Sequence, residues 1–124
     1  MPSVAILGAS QDRSKFGNKA VRAYASKGYQ VYPINPKATE IEGLKAYPSI
    51  LDVPEKNIDV VSLYLPPEVG LKVIEDVAKK GVKEVWVNPG AESSQLRARG
   101  ESLGMQMIEA CSIVGLGMRP SDLD

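Results

Sequence analysis

Few residues of this chain are placed to do chemistry: Gly8, Ala9 and Ser10 at the end of an apolar run, Arg13 and Lys15 in the polar loop after it, an isolated Lys37, and one thiol, Cys111. Val4-Ala5-Ile6-Leu7 is unbroken and apolar, the pattern of a strand buried on both faces of a parallel sheet. Gly8 ends that strand and lets backbone approach a ligand closely. The loop from Ser10 to Lys15 is polar, and Gly17-Asn18 opens a helical pattern whose free N–H groups and positive dipole end favour anions. This layout predicts a ligand that carries phosphate.

Composition narrows the partners. Lys plus Arg balances Asp plus Glu at 15 each in 124 residues, so no overall field draws the chain to nucleic acid or an anionic membrane, and anion recognition has to be local. Histidine is absent. Triads built on His, His-ligated zinc and phosphohistidine relays are therefore excluded within these residues, and no metal site is expected. One cysteine cannot form an internal disulfide framework and suits a reducing, cytoplasmic setting. No apolar run approaches a membrane span, and the start lacks the profile of a signal peptide.

The elements needed to position those residues can be read in order. Gly17–Gly28 is an amphipathic helix with Ala20, Val21, Tyr24 and Ala25 inward, stopped by Gly28. Gln30–Ile34 is a second strand that completes a right-handed βαβ unit, with Pro33 near its end. From Asn35 to Asn57 turn signals such as Glu42-Gly43 alternate with short apolar pieces, giving a short edge strand over 44–47 and one helical turn from Ser49. Asp59–Leu65 is a core strand, and a helix follows with Pro67 at its start, Glu68 in its first turn and a stripe of Val69, Gly70, Val73, Ile74 and Val77. Glu84–Val87 is the next strand, Glu92–Leu103 a weaker helix, and Met105–Ile108 the last strand. This alternation predicts one α/β domain over 1–124, a three-layer, doubly wound, Rossmann-like fold on a mainly parallel five-stranded sheet.

Ligands of such sheets sit beyond the carboxyl ends of the strands. Those ends carry Gly8-Ala9-Ser10, Asn35-Pro36-Lys37, Leu65-Pro66-Pro67, Asn88-Pro89-Gly90 and Glu109-Ala110-Cys111. A dinucleotide fingerprint needs G-x-G-x-x-G and an acidic residue after the second strand. Here Ser10 replaces the second glycine, the loop to Gly17 is too long, and Lys37 stands where the carboxylate belongs. A cation there suits a phosphorylated ribose, as in NADP or coenzyme A, and disfavours NAD. Pro66-Pro67 offers a rigid apolar corner that could pack against adenine or a pantetheine arm.

VAILGAS, GYQVYPINPK, DVVSLYLPP and GVKEVWVNPG, with a last strand closing in Cys111, together resemble the small CoA-binding domain proteins, relatives of the CoA-binding domain of the succinyl-CoA synthetase alpha subunit. The resemblance implies a Rossmann-like fold that binds coenzyme A or an acyl-CoA, with the first loop at phosphate, Lys37 near the nucleotide end and the proline corner beside the ligand. The implied ligand contacts are Gly8, Ala9, Ser10, Arg13, Lys15, Gly17, Asn35, Pro36, Lys37, Leu65, Pro66, Pro67, Asn88 and Gly90. The family often has a glutamine after the strand-borne Trp and Asp-Arg before the Cys, where this chain has Asn88 and Glu109-Ala110.

In the synthetases the resemblance implies catalysis by a further, His-bearing domain, so a stand-alone, non-catalytic binding role is expected. Cys111 reads as a structural thiol, with a mixed disulfide to the CoA thiol as the sharper alternative. An NADP-binding oxidoreductase-like module and a regulatory module with a vestigial pocket stay open, as does a second copy or separate protein docked on Ile113–Met118.

Overall fold

The computed structural model describes residues 1–124. In chain order its elements are β1 (Ser3–Leu7), α1 (Phe16–Ser26), β2 (Gln30–Ile34), β3 (Glu40–Ile41), β4 (Leu44–Lys45), a 3-10 turn (Ile50–Asp52), β5 (Val60–Leu63), α2 (Pro67–Lys79), β6 (Glu84–Val87), α3 (Ser94–Ser102), β7 (Gln106–Glu109), α4 (Ser112–Gly115) and a second 3-10 turn (Pro120–Leu123). No helix is long and apolar enough to cross a membrane.

Five strands form one sheet in the order β2-β1-β5-β6-β7, and every pairing within it is parallel. The apolar run of β1 is fully buried because the strand is central and covered on both faces. Val4 and Ile6 pack with Val21, Tyr24, Ile113 and Leu123 on the α1 face, whereas Ala5 and Leu7 join Ile74, Val77 and Leu96 on the α2–α3 face. The chain winds outward from β1 to β2 and then returns to place β5 on the other side of β1. The strand order therefore reverses between β1 and β5, and a crevice opens beyond their carboxyl ends.

Pro33 lies inside β2, paired with Ile6, and is accommodated because β2 is an edge strand. The Pro33 carbonyl accepts from the Tyr47 N–H on the outer side, so the missing donor faces away from β1 and leaves that ladder intact. The short strand expected over 44–47 is divided. Leu44–Lys45 pairs antiparallel with Glu40–Ile41 around Glu42-Gly43, both at positive φ (51° and 76°), as a two-residue hairpin turn requires, and Tyr47 only bridges Ile34. The helical turn expected at Ser49 forms, capped by the Ser49 hydroxyl, which accepts from the Leu51 N–H.

Three smaller differences have local causes. Ala23 rather than Ala25 completes the buried face of α1, because helix and sheet meet along the row of Ala20, Val21, Ala23 and Tyr24. Ser93 caps α3 through the Leu96 N–H, so Glu92 stays outside the helix, where its carboxylate accepts from the Gly90 N–H. In α2, Gly70, Ile74 and Val77 are fully buried, while Val69 and Val73 are half-buried at the rim of the crevice.

Candidate functional site: a trough across the carboxyl edge

The site begins with two close backbone approaches. Gly8 turns out of β1 with φ +90°, and a Cβ there would collide with the Tyr64 carbonyl at the end of β5 (2.8 Å from its carbon). Gly17, in the first turn of α1, sits so close to Gly8 that a Cβ would overlap the Gly8 carbonyl oxygen and lie 3.1 Å from its carbon. Two glycines thus do what a shorter fingerprint loop does with more closely spaced ones: they bring strand end and helix start together.

The loop between them is held by its own polar groups. Asp12 Oδ1 accepts from the Ser14 N–H (3.0 Å) and hydroxyl (2.6 Å), which keeps its carboxyl below the usual range, and Ser10 Oγ accepts from the Asp12 N–H. Asn18 Nδ2 donates to the Ser10 carbonyl and Asn35 Nδ2 to the Ala9 carbonyl, both at 2.9 Å. Asn35 Oδ1 in turn accepts from the Lys37 and Ala38 N–H groups, fixing the turn after β2. No side chain caps α1, so the positive end of its dipole is open where Lys15, Phe16 and Gly17 line the crevice.

Three hollows run side by side along this edge. The central cleft, about 450 Å³, is walled by Gly8, Lys15, Gly17, Leu65, Pro66, Pro67 and Gly90, together with Phe16, Tyr64, Glu68, Pro89 and Ala91. On its β2 side an apolar slot of about 250 Å³ shares Gly8 and Leu65 and adds Ile34, Pro36, Ile50 and Val69. On its β6–β7 side a hollow of about 300 Å³ shares Phe16, Tyr64 and Pro89 and adds Asn88, Cys111, Val114 and Pro120. Ser10, Asn35 and Lys37 line a separate shallow depression with Asp12, next to the β2 slot through Pro36.

The site residues expected from sequence are therefore distributed unevenly. Seven meet in the central cleft, and Pro36 joins them through the adjoining slot. Arg13 lies apart, in a depression with Lys19 and Arg22, 3.5 Å from the Glu42 carboxylate. Ala9 is buried. The Asn88 side chain is only 1% exposed and fully engaged: Nδ2 donates to Ser62 Oγ (2.9 Å) and the Leu63 carbonyl (2.8 Å), and Oδ1 accepts from the Ser112 N–H (2.8 Å). Ser112 Oγ completes the network with Ser62 Oγ (2.8 Å) and Tyr64 Oη (3.2 Å), and burial raises the Tyr64 phenol above its ordinary pKa.

The strand end Asn88-Pro89-Gly90 already pointed to Pro89, but sequence reasoning did not single out Phe16, Tyr64, Glu68 or Ala91 as lining residues. Phe16 gave a usable signal, an aromatic side chain at a helix start, and it is 53% exposed in the cleft wall.

A parallel doubly wound sheet with its opening at the strand-order reversal defines a Rossmann-like nucleotide-binding class. Within that class the chain belongs to the CoA binding domain family, whose sequence model matches residues 2–116. It is 31% identical over 114 residues to an ADP-forming acetate–CoA ligase of Archaeoglobus fulgidus, covering 91% of this chain and 16% of that enzyme. The corresponding ligase of Methanocaldococcus jannaschii is 46% identical over 81 residues, 65% of this chain and 11% of the enzyme, so the chain spans only a small part of these curated relatives. Among solved structures, a conserved hypothetical protein from Pyrococcus furiosus superposes with a TM-score of 0.85 at 39% identity, covering 93% of this chain and 99% of that one.

Proposed function

We propose that this chain binds coenzyme A, or an acyl thioester of it, along the trough, and that it acts as a binding domain with no catalytic group of its own. The observation that carries this reading is the row of three adjoining hollows at the reversal of strand order, in a chain whose family is the CoA binding domain. Coenzyme A is long and has unlike parts. The apolar slot between Ile34, Pro36 and Ile50 suits a flat adenine, with Lys37 at its edge for the ribose 3′-phosphate. Lys15 and the open start of α1 suit the pyrophosphate. The corner at Leu65-Pro66-Pro67 gives the pantetheine arm an apolar wall. Support for a non-catalytic role comes from the polar side chains along the trough, since those of Asn35 and Asn88 are engaged in bonds that hold the scaffold, Asn88 with Ser62 and Ser112 buried beneath it.

Isothermal titration of coenzyme A, dephospho-CoA and NADPH tests the reading. Coenzyme A binds best. Lys37→Glu turns attraction for the 3′-phosphate into repulsion and weakens coenzyme A about tenfold, roughly 1.4 kcal/mol for an exposed pair, while dephospho-CoA changes less than about twofold. Tighter binding of NADPH, or no binding of any of the three, overturns the proposal; equal losses for both CoA forms remove Lys37 from the nucleotide end.

A further inference from the structure

We infer that the hollow at the β6–β7 end of the trough is an acyl subsite, which takes the hydrocarbon chain of a short, uncharged acyl thioester and so sets which acyl-CoA binds best. The inference rests on the coenzyme A reading above and adds the class of acyl group.

Continuity comes first. The hollow shares Phe16, Tyr64 and Pro89 with the central cleft, so the two adjoin and a ligand lying in the cleft has this hollow at its β6–β7 end. Charge then fixes the direction. Lys15 stands in the central cleft beside Glu68, and Lys37 on the β2 side near Asp12, whereas the residues around this hollow, Phe16, Tyr64, Asn88, Pro89, Cys111, Val114 and Pro120, include no charged group of either sign. A ligand with three phosphates toward one end and sulfur at the other meets the cations with its nucleotide half and this hollow with its thioester.

The floor and walls decide what kind of chain fits. Asn88, Ser62, Ser112 and the Tyr64 hydroxyl bond to one another, and no buried side-chain polar atom is left without a partner. A carboxylate on the acyl tail would lose water here and meet no cation to compensate it. The walls invite the opposite occupant: Phe16 is 53% and Val114 59% exposed, apolar surface that an alkyl chain would cover. The Cys111 thiol, half-buried at the same wall, acts as one more small apolar group. A hollow of about 300 Å³, open at its mouth, suits a short acyl chain.

The test is a calorimetric series on the intact chain with coenzyme A and its acetyl, butyryl, hexanoyl, dodecanoyl and succinyl thioesters. Affinity rises about two- to fourfold per methylene between acetyl and butyryl, as burial of each methylene requires, and levels off before dodecanoyl. Succinyl-CoA, about as long as butyryl-CoA but charged, binds no tighter than coenzyme A. Val114→Glu, at an exposed position, keeps coenzyme A within about twofold and flattens the series. A flat series on the parent chain with coenzyme A bound, an equal gain for succinyl-CoA, or a series unchanged in Val114→Glu each overturns the subsite while leaving coenzyme A binding in place. Failure of every ligand to bind overturns the coenzyme A reading, and the subsite with it.

Discussion

Replacing Gly17 by alanine probes the geometry on which the trough depends. The added Cβ would overlap the Gly8 carbonyl oxygen, lie 3.1 Å from the Gly8 carbonyl carbon and lie 3.3 Å from Ala9 Cα, all backbone atoms of the strand end. No flexible side chain can give way. The start of α1 must move by about an ångström, an overpacking that costs about 2 kcal/mol. Alanine returns at most about 1 kcal/mol through helix propensity, less at this first-turn position. The net loss is about 1–2 kcal/mol, or about 4–8 °C in Tm for a chain of this size. The same shift withdraws the dipole end from the phosphate and weakens coenzyme A about fivefold. Gly28→Ala is the matched control. Its Cβ meets nothing within 4 Å, and the residue sits at φ +85°, so it loses about 1 kcal/mol to backbone strain and leaves coenzyme A affinity unchanged. Thermal melting and calorimetry on both variants decide. A Gly17→Ala protein with parental Tm and parental affinity would refute the reasoning.

Two further outcomes follow from buried polar groups. Asn88→Ala leaves the buried Ser112 N–H without an acceptor, while the Leu63 carbonyl keeps the backbone Asn88 N–H, so urea unfolding shows a loss of about 2 kcal/mol; a loss below about 0.5 kcal/mol contradicts the network. Burial raises the phenols of Tyr24 and Tyr64 above the ordinary tyrosine pKa of 10.0, so above pH 10 the unfolded chain gives up these protons more readily than the folded one. Stability is therefore fully present below pH 10 and falls as pH rises beyond it, and Tyr64→Phe makes the decline in urea midpoint shallower. A midpoint that stays level or climbs above pH 10 runs against this.

The sequence was most legible where one rule governed a segment. β1 could be read almost to the residue because a central parallel strand has to be apolar on both sides, and the edge strand β2 and inner strand β6 because Gly, Asn and Pro bound those segments sharply. Residues 40–47 misled because their short apolar pieces serve a two-residue hairpin whose pairing depends on the positive φ of Glu42 as well as Gly43. In the site, the strand ends pointed to the right edge of the sheet, yet several polar residues there face the scaffold. Asn35 and Asn88 have the composition of ligand contacts but spend their amides on loop and strand backbone, a choice that only tertiary neighbours make. Gly17 is the converse: its spacing from Gly8 breaks the dinucleotide fingerprint, while its contact with Gly8 performs that fingerprint's task at longer range.

Whether coenzyme A lies across the carboxyl edge of the sheet can be read from backbone amide shifts during a coenzyme A titration. Saturable shifts are expected at Gly8, Lys15 to Gly17, Lys37, Leu65, Glu68 and Gly90, with Gly28 and Gly104 unmoved. Shifts confined to the neighbourhood of Gly28 and Gly104, or no shifts at millimolar coenzyme A, would contradict that placement.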